Sequence, residues 1–169
     1  MKKTTLVILL FSTLSALSIF QSCKNDEDPL IEFIADDNTF ANYSTWHLHT
    51  TKQGIDPANG GLHDGNDSTV VRKVYIKDDQ SLVNGQYPIG TLIVKHSSNG
   101  SSFEQITAMV KRGNGFSPDT NDWEWFMLAP DGSIAKDPNG NIMRAAKLMG
   151  GACNGCHSAA ASKDFVFSK

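Results

Sequence analysis

The feature that most constrains this chain is the pentapeptide Cys-Asn-Gly-Cys-His at residues 153–157, after which only residues 158–169 remain. Two thiols at this spacing can each add to a vinyl group of a haem, and the histidine that follows places an imidazole nitrogen on the iron. The sequence therefore predicts one haem c, attached covalently through Cys153 and Cys156 and ligated by His157. Any fold for this chain must bring a haem-sized pocket to its C-terminal end.

Two other functions of the CxxCH residues are less well supported by the sequence. A Cys153/Cys156 dithiol would suit thioredoxin-like redox chemistry, but that motif normally opens a helix early in a βαβ unit, and no such unit precedes it here. A zinc site would need a further ligand, and the upstream histidines show no paired metal spacing. Those histidines are His47, His49, His63 and His96. The haem interpretation is favoured over both.

The late position of the motif also bears on the other side of the iron. Small helical electron-transfer cytochromes c carry the motif near the N-terminus and supply a methionine ligand downstream, whereas residues 158–169 contain neither Met nor His. A sixth ligand would have to come from upstream. The methionines there fit core packing better than ligation; they are Met109, Met127, Met143 and Met149.

The third cysteine, Cys23, ends an export signal. Met1 is followed by two lysines, residues 6–20 form an apolar stretch too short for a typical membrane span, and a small-residue cleavage site precedes Cys23. This arrangement resembles a bacterial lipoprotein signal, in which the thiol is lipidated, although Phe20 stands where that pattern usually has Leu. An ordinary secretory signal is the alternative. We predict a signal peptide over residues 1–22 and membrane attachment only through lipid on Cys23.

The segment after Cys23 reads as a solvated tether. Residues 24–29 are charged and end in proline, so they cannot pack into a core, and we predict a tether over residues 23–35. Residues 36–169 then form one domain. Haem attachment of this type occurs outside the cytoplasm, which predicts a protein of the periplasm or outer membrane, or of the cell surface. A net charge of −3 without a basic stripe argues against nucleic acid as a partner.

Strand-like segments dominate this domain. Runs rich in β-branched and aromatic residues predict strands over 46–51, 69–77, 90–96, 103–112 and 123–129, with a long loop over 53–67. Asn99-Gly100 is a strong turn signal, so the third and fourth of these strands should form a hairpin. Short helices are expected over 36–46 and 141–149, the second with Asn141 as N-cap and Gly150-Gly151 as its stop. The prediction is an α+β domain, mainly an antiparallel β-sheet with short helices at its ends.

Six blocks of the chain together resemble the cytochrome P-460 and cytochrome c'-beta family. They recur in the order of that family and cover nearly the whole domain: 72–76 (RKVYI), 87–95 (YPIGTLIVK), 109–111 (MVK), 121–126 (NDWEWF), 153–157 (CNGCH) and 164–167 (DFVF). The resemblance implies a mainly antiparallel β fold, a homodimer, and a haem c with His157 as proximal ligand. It also implies five-coordinate iron with an open distal side.

The family divides on chemistry, and Lys95 is the first position that bears on the division. In the P-460 branch a lysine of the matching block forms a further covalent bond to the haem ring edge, and that bond accompanies hydroxylamine oxidation. In the c'-beta branch the bond is absent and the haem binds gases such as nitric oxide. Strand alternation places Lys95 on the same face as Thr91 and Ile93, away from Val94. The resemblance implies a haem-proximal Lys95, whereas a lysine near a strand end is otherwise a surface cation.

Two further positions bear on the same choice. Arg72 matches a family arginine of the distal pocket, where a guanidinium could hydrogen-bond an iron-bound ligand or a haem propionate; a salt-bridged strand arginine is the alternative. Thr107 aligns with a distal glutamate of the P-460 branch, and Thr cannot accept a proton as a carboxylate does. Glu104 lies three residues earlier, on the opposite face of the strand, unless that strand is bulged.

The resemblance therefore implies a haem protein that acts on or binds small nitrogen species. One function is hydroxylamine oxidation to nitric oxide or nitrous oxide, with Lys95, Arg72 and Thr107 at the site and a redox partner protein as electron acceptor. The alternatives are nitric oxide binding without catalysis, for which aromatic residues such as Phe103, Phe116, Trp123, Trp125 and Phe126 could form an apolar pocket, and plain mono-haem electron transfer.

Overall fold

A computed structural model describes residues 31–57 and 62–167 of the chain. The predicted signal peptide, Cys23 and most of the predicted tether lie outside the described residues. None of the helices in the described part is long and apolar enough to cross a membrane. The main elements are strands β1 (His47–Gln53), β2 (Val71–Ile76), β3 (Leu92–Ser98), β4 (Glu104–Lys111), β5 (Trp123–Leu128) and β6 (Arg144–Ala145), and helix α1 (Leu148–His157).

The strands form one six-stranded antiparallel sheet in which each strand pairs with the next in the chain. This confirms the predicted fold class, and the predicted hairpin is the pair β3–β4. The side-chain oxygen of Asn99 accepts hydrogen bonds from the backbone N–H groups of Ser101, Ser102 and Phe103. Gly100 follows with φ 77°, a left-handed conformation that glycine adopts without steric cost.

The two faces of the sheet pack against different parts of the chain. Because side chains alternate along a strand, Leu92 and Val94 of β3 join a core with Phe40 and Tyr43 from the N-terminal segment. Ile93 of β3 points to the opposite face. It packs there with residues of β4, β5, α1 and the segment after α1, namely Met109, Trp123, Trp125, Leu148 and Val166. We call this second face the C-terminal face of the sheet.

The helix predicted over 36–46 is largely wrong. The described chain forms turns there, and only Tyr43–Thr45 make a single 3-10 turn. The Asp36 carboxylate accepts hydrogen bonds from the backbone N–H of Asn38 and the hydroxyl of Thr39. Asn42 then adopts φ 57°, which interrupts a right-handed helix. Local side-chain hydrogen bonds of this kind compete with helix formation.

The helix predicted over 141–149 is also wrong. Residue Asn141 belongs to a turn in which the carboxylate of Asp137 accepts hydrogen bonds from the backbone N–H and the side-chain amide of Asn141. The chain then enters β6, and helix α1 begins only at Leu148. Gly150 and Gly151 lie inside the first turns of α1 with φ 66° and 89°, so they mark an irregular helix start rather than a stop. The helix therefore carries the whole CxxCH motif.

Candidate functional site

A cavity that is open to solvent lies between helix α1 and the C-terminal face of the sheet, and about 930 Å³ of empty space, bulk solvent at its mouth included, belongs to it. Most of its lining is apolar, including Ile93, Met109, Trp125 and Val166, and a few polar side chains reach it. The three functional residues of the CxxCH motif lie at its wall: Cys153, Cys156 and His157. Pockets with an apolar lining and a few polar groups are typical of cofactor sites.

Helix α1 explains why the motif residues meet at one wall. Cys153, Cys156 and His157 stand at positions i, i+3 and i+4, which lie on one side of a helix. Neither thiol forms a disulfide, and both are partly buried. Burial raises the pKa of the Cys153 thiol. The donor set of two thiols and one imidazole beside an apolar cavity fits a haem c.

The His157 ring is oriented by its backbone and aromatic neighbours. Its Nδ1 lies 2.6 Å from the backbone carbonyl oxygen of Phe165, so Nδ1 donates and Nε2 is the nitrogen left for a metal. The ring centroid lies 4.6 Å from that of Trp125 and 5.2 Å from that of Phe167. Burial lowers the pKa of His157, which favours the neutral imidazole that ligates iron.

The Phe165 carbonyl is held in place by its neighbour Asp164. The Asp164 carboxylate is buried and accepts hydrogen bonds from Lys111 Nζ (2.8 and 2.9 Å), from the backbone N–H of Tyr87 (2.7 Å) and from the side-chain amide of Asn121 (2.6 Å). The backbone carbonyl of Asp164 also accepts a hydrogen bond from Trp123 Nε1 at 2.7 Å. This network ties the segment after α1 to the sheet. It therefore positions the group that orients His157.

Lys95 and Thr107 face the same cavity from the sheet. They are directly opposed in the register of β3 and β4, and both line the cavity together with Ile93. This agrees with the alternation predicted for β3. Burial, followed by the positive charge of Arg72, lowers the pKa of Lys95 to about 8. The structure brings both residues to the wall shared with the CxxCH motif, and their roles at a haem remain predictions.

Arg72 is buried beside the cavity rather than exposed at its wall. It is only 1% exposed and lines a smaller adjoining cavity, which Lys95 also lines, rather than the larger one. Its guanidinium donates hydrogen bonds to the backbone carbonyls of Gly54, His63 and Asp64. The structure therefore shows Arg72 holding a loop. A contact between Arg72 and a bound ligand remains a prediction.

Two polar residues of the cavity were not assigned to the haem site from the sequence, although His63 was weighed as a zinc ligand. Gln105 and His63 both line it, and His63 Nδ1 lies 3.0 Å from Gln105 Oε1. The position of Gln105, two residues before Thr107 on the same strand, could have identified it. His63 comes from an irregular loop, where no periodic pattern indicates direction. Glu104 lies on the opposite face as predicted, where its carboxylate is 3.0 Å from His96 Nε2.

The methionines and aromatics are divided between the cavity and other parts of the molecule. Met109, Met127 and Met149 line the cavity, as do Trp125 and Phe126. The remaining candidates for an apolar pocket, Phe103, Phe116 and Trp123, are not among its lining residues. The apolar wall is thus built mainly by β4, β5 and the C-terminal segment.

The chain was compared with protein families, with curated proteins and with solved structures. The family model described as Cytochrome P460 matches residues 40–168, which include every candidate haem-site residue described above. No curated protein and no solved structure matches the chain at a significant level.

Proposed function

The chain belongs to the cytochrome P460 family, and on that premise we propose that it binds hydroxylamine at an open position of its haem iron and oxidises it. Membership confirms the resemblance found in the sequence and makes the chain a c-type haem protein. The bound haem supplies a redox-active iron that can take a small exogenous ligand. Cys153 and Cys156 are positioned to attach it, and His157 to ligate it.

The observation that carries the proposal is the position of Lys95. Lys95 and the CxxCH residues line one cavity, so Lys95 lies at the wall of the site in which Cys153 and Cys156 would hold a haem. A lysine on the outer face of the sheet would have excluded a bond to the haem ring. We propose that Lys95 forms that bond, which in this family accompanies hydroxylamine oxidation.

A specific observation also favours nitric oxide binding without catalysis. Thr107 stands at the cavity wall where a proton-accepting carboxylate would be needed, and the described residues that line the larger cavity include no Asp or Glu. Apolar side chains dominate the wall. Such a pocket suits an uncharged diatomic gas, so gas binding is the second candidate function.

Mass spectrometry of the haem-loaded full chain tests the role of Lys95. A tryptic product that joins the Cys153/Cys156 peptide to the Lys95 peptide through haem is expected, and it should disappear in the Lys95→Met variant. The main ferrous haem band should shift to the blue in that variant, because a ring-bonded amine red-shifts it. Haem found only on the Cys153/Cys156 peptide would refute the bond.

Kinetic and ligand-binding measurements separate the candidate functions. Turnover of hydroxylamine with an artificial electron acceptor supports the oxidase. Reversible nitric oxide binding without hydroxylamine turnover supports the gas-binding protein. A six-coordinate, low-spin haem that responds to neither compound would refute both and would indicate a plain electron carrier.

We further propose that the protein is exported, attached to a membrane by lipid on Cys23, and dimeric, with a redox partner protein as electron acceptor. The export signal and the need for haem attachment outside the cytoplasm support the location, and Cys23 itself lies outside the described residues. Incorporation of labelled fatty acid that is lost in Cys23→Ser would test the lipid. Sedimentation equilibrium would test the homodimer.

A further inference from the structure

The turn that carries His63 is held by a buried cation. The Arg72 guanidinium donates hydrogen bonds to the backbone carbonyls of Gly54 at 2.6 Å, of His63 at 2.9 Å and of Asp64. His63 and Asp64 both have left-handed backbones, with φ 52° and 51°, which residues other than glycine seldom adopt. Arg72 therefore fixes an unusual backbone and with it the direction in which the His63 side chain leaves the loop.

The second restraint on His63 acts on its ring. Nδ1 lies 3.0 Å from the side-chain oxygen of Gln105, and an amide oxygen can only accept a hydrogen bond. Nδ1 must therefore carry the proton, so Nε2 keeps its lone pair. Gln105 and His63 line the cavity that His157 also lines. The result is a hydrogen-bond acceptor in a cavity whose other described walls are mostly apolar.

The neutral form of His63 is favoured by its surroundings. Burial, followed by the positive charge of Lys95, lowers the pKa of His63 to about 3. A ring with so low a pKa does not become a donor at both nitrogens near neutral pH. The Nε2 lone pair is consequently available under ordinary conditions.

We propose that His63 is a specificity-determining residue of the haem pocket, whose Nε2 accepts a hydrogen bond from ligands that carry N–H or O–H groups. The inference rests on the proposed function, because it needs an iron that is open to a ligand. Hydroxylamine has both kinds of group and gains this hydrogen bond. Nitric oxide has no hydrogen and gains nothing. His63 therefore shifts the preference of the pocket toward hydrogen-bearing nitrogen ligands.

Ligand titrations of the haem-loaded full chain test this role. Hydroxylamine binding to the ferric protein and nitric oxide binding to the ferrous protein would be followed by absorbance in four variants. His63→Leu removes the acceptor, His63→Gln retains an acceptor oxygen, and Gln105→Leu removes the group that fixes the tautomer. His47→Leu is the matched control, because His47 is an exposed histidine paired with Asp79 and lines neither cavity.

In His63→Leu we expect hydroxylamine to bind about tenfold more weakly, a change of about 1.4 kcal/mol that corresponds to one lost hydrogen bond. Nitric oxide affinity should stay within about twofold, since no hydrogen bond is lost. His63→Gln should retain most of the hydroxylamine affinity, Gln105→Leu should lose part of it, and His47→Leu should match the unaltered protein. Haem content and far-UV circular dichroism would confirm that each variant is folded.

Several outcomes would overturn the inference. One is an equal loss of both ligands in His63→Leu, and another is no loss of either. A low-spin ferric spectrum that becomes high-spin in His63→Leu would show that Nε2 ligates the iron itself, which also overturns it. If the unaltered protein binds neither compound, the proposed function fails first and the inference falls with it. These results are distinguishable, because the last one appears before any variant is made.

Discussion

Breaking the buried ion pair between Lys111 and Asp164 should weaken the protein more than any single surface change. The Lys111 side chain is 5% exposed and that of Asp164 is fully buried, and their charged atoms lie 2.8 Å apart. Removing one partner of such a pair leaves an uncompensated buried charge, which typically costs about 3–5 kcal/mol. We expect the loss of unfolding free energy in Lys111→Met to lie near the lower end of this range, because Tyr87 and Asn121 still donate hydrogen bonds to the Asp164 carboxylate.

The double variant Lys111→Met/Asp164→Asn supplies the decisive comparison. With both charges gone, no isolated charge remains in the interior. We expect the double variant to lose only about 1–2 kcal/mol of unfolding free energy. The departure from the sum of the two single losses should therefore be well over the ~0.5 kcal/mol within which independent sites add. Asparagine suits the site, because residue 164 has φ 52° and Asn tolerates a left-handed backbone.

Urea unfolding of the haem-loaded protein, followed by far-UV circular dichroism and haem absorbance, would give the four free energies of the cycle. Each single variant should also lower the melting temperature by roughly 10 °C, from about 2–4 °C per kcal/mol for a domain of this size. Additive single changes would refute the reasoning, since they would mean that the pair contributes no mutual stabilisation. His47→Leu is again a suitable surface control.

Three further outcomes are expected. Arg72→Met should destabilise the protein by about 2–4 kcal/mol, because three backbone carbonyls lose a buried donor, and hydrogen exchange should accelerate at residues 62–65. Gly132→Ala should cost about 1–3 kcal/mol in urea unfolding, since Gly132 has φ 88° and a Cβ there would lie 2.7 Å from the Phe40 carbonyl oxygen. Lowering the pH from 7 to 5 should cost about 2 kcal/mol through His63 alone, because its pKa is about 3 when folded and about 6.5 when unfolded. The unfolded chain then takes up the proton first, so this stability is complete above pH 6.5 and is lost as the pH falls toward 3, and His63→Leu should lack the effect in pH-dependent melts.

The proximal side of the site could be predicted from sequence because its chemistry is encoded in adjacent residues. Cys153, Cys156 and His157 carry a covalent pattern whose spacing fits one side of a helix. Strand alternation likewise separated Lys95 and Ile93 from Val94, since the period of a strand is fixed. What failed was the helix boundary. Gly150 and Gly151 look like a stop signal, but the structure uses their left-handed backbones inside the start of α1.

The groups that orient the site could not be predicted, because they act through tertiary contacts. The partner of His157 is a backbone carbonyl at Phe165, and a carbonyl has no residue signature. His63 reaches the cavity from a loop whose backbone carbonyls accept hydrogen bonds from Arg72, nine residues further on. A sequence pattern describes side chains along one element. It contains no information on which loop carbonyls will accept hydrogen bonds from a guanidinium elsewhere in the chain.

Two separate sets of hydrogen bonds therefore hold the two sides of the cavity. On the side of α1, the buried pair of Lys111 and Asp164 fixes the carbonyl that orients His157. On the side of the loop, Arg72 fixes the turn that aims His63, and Gln105 sets its tautomer. The hydrogen bonds described above for one set involve none of the residues of the other. We therefore expect a change in the first set to act on the iron through its protein ligand, and a change in the second set to act on the bound ligand.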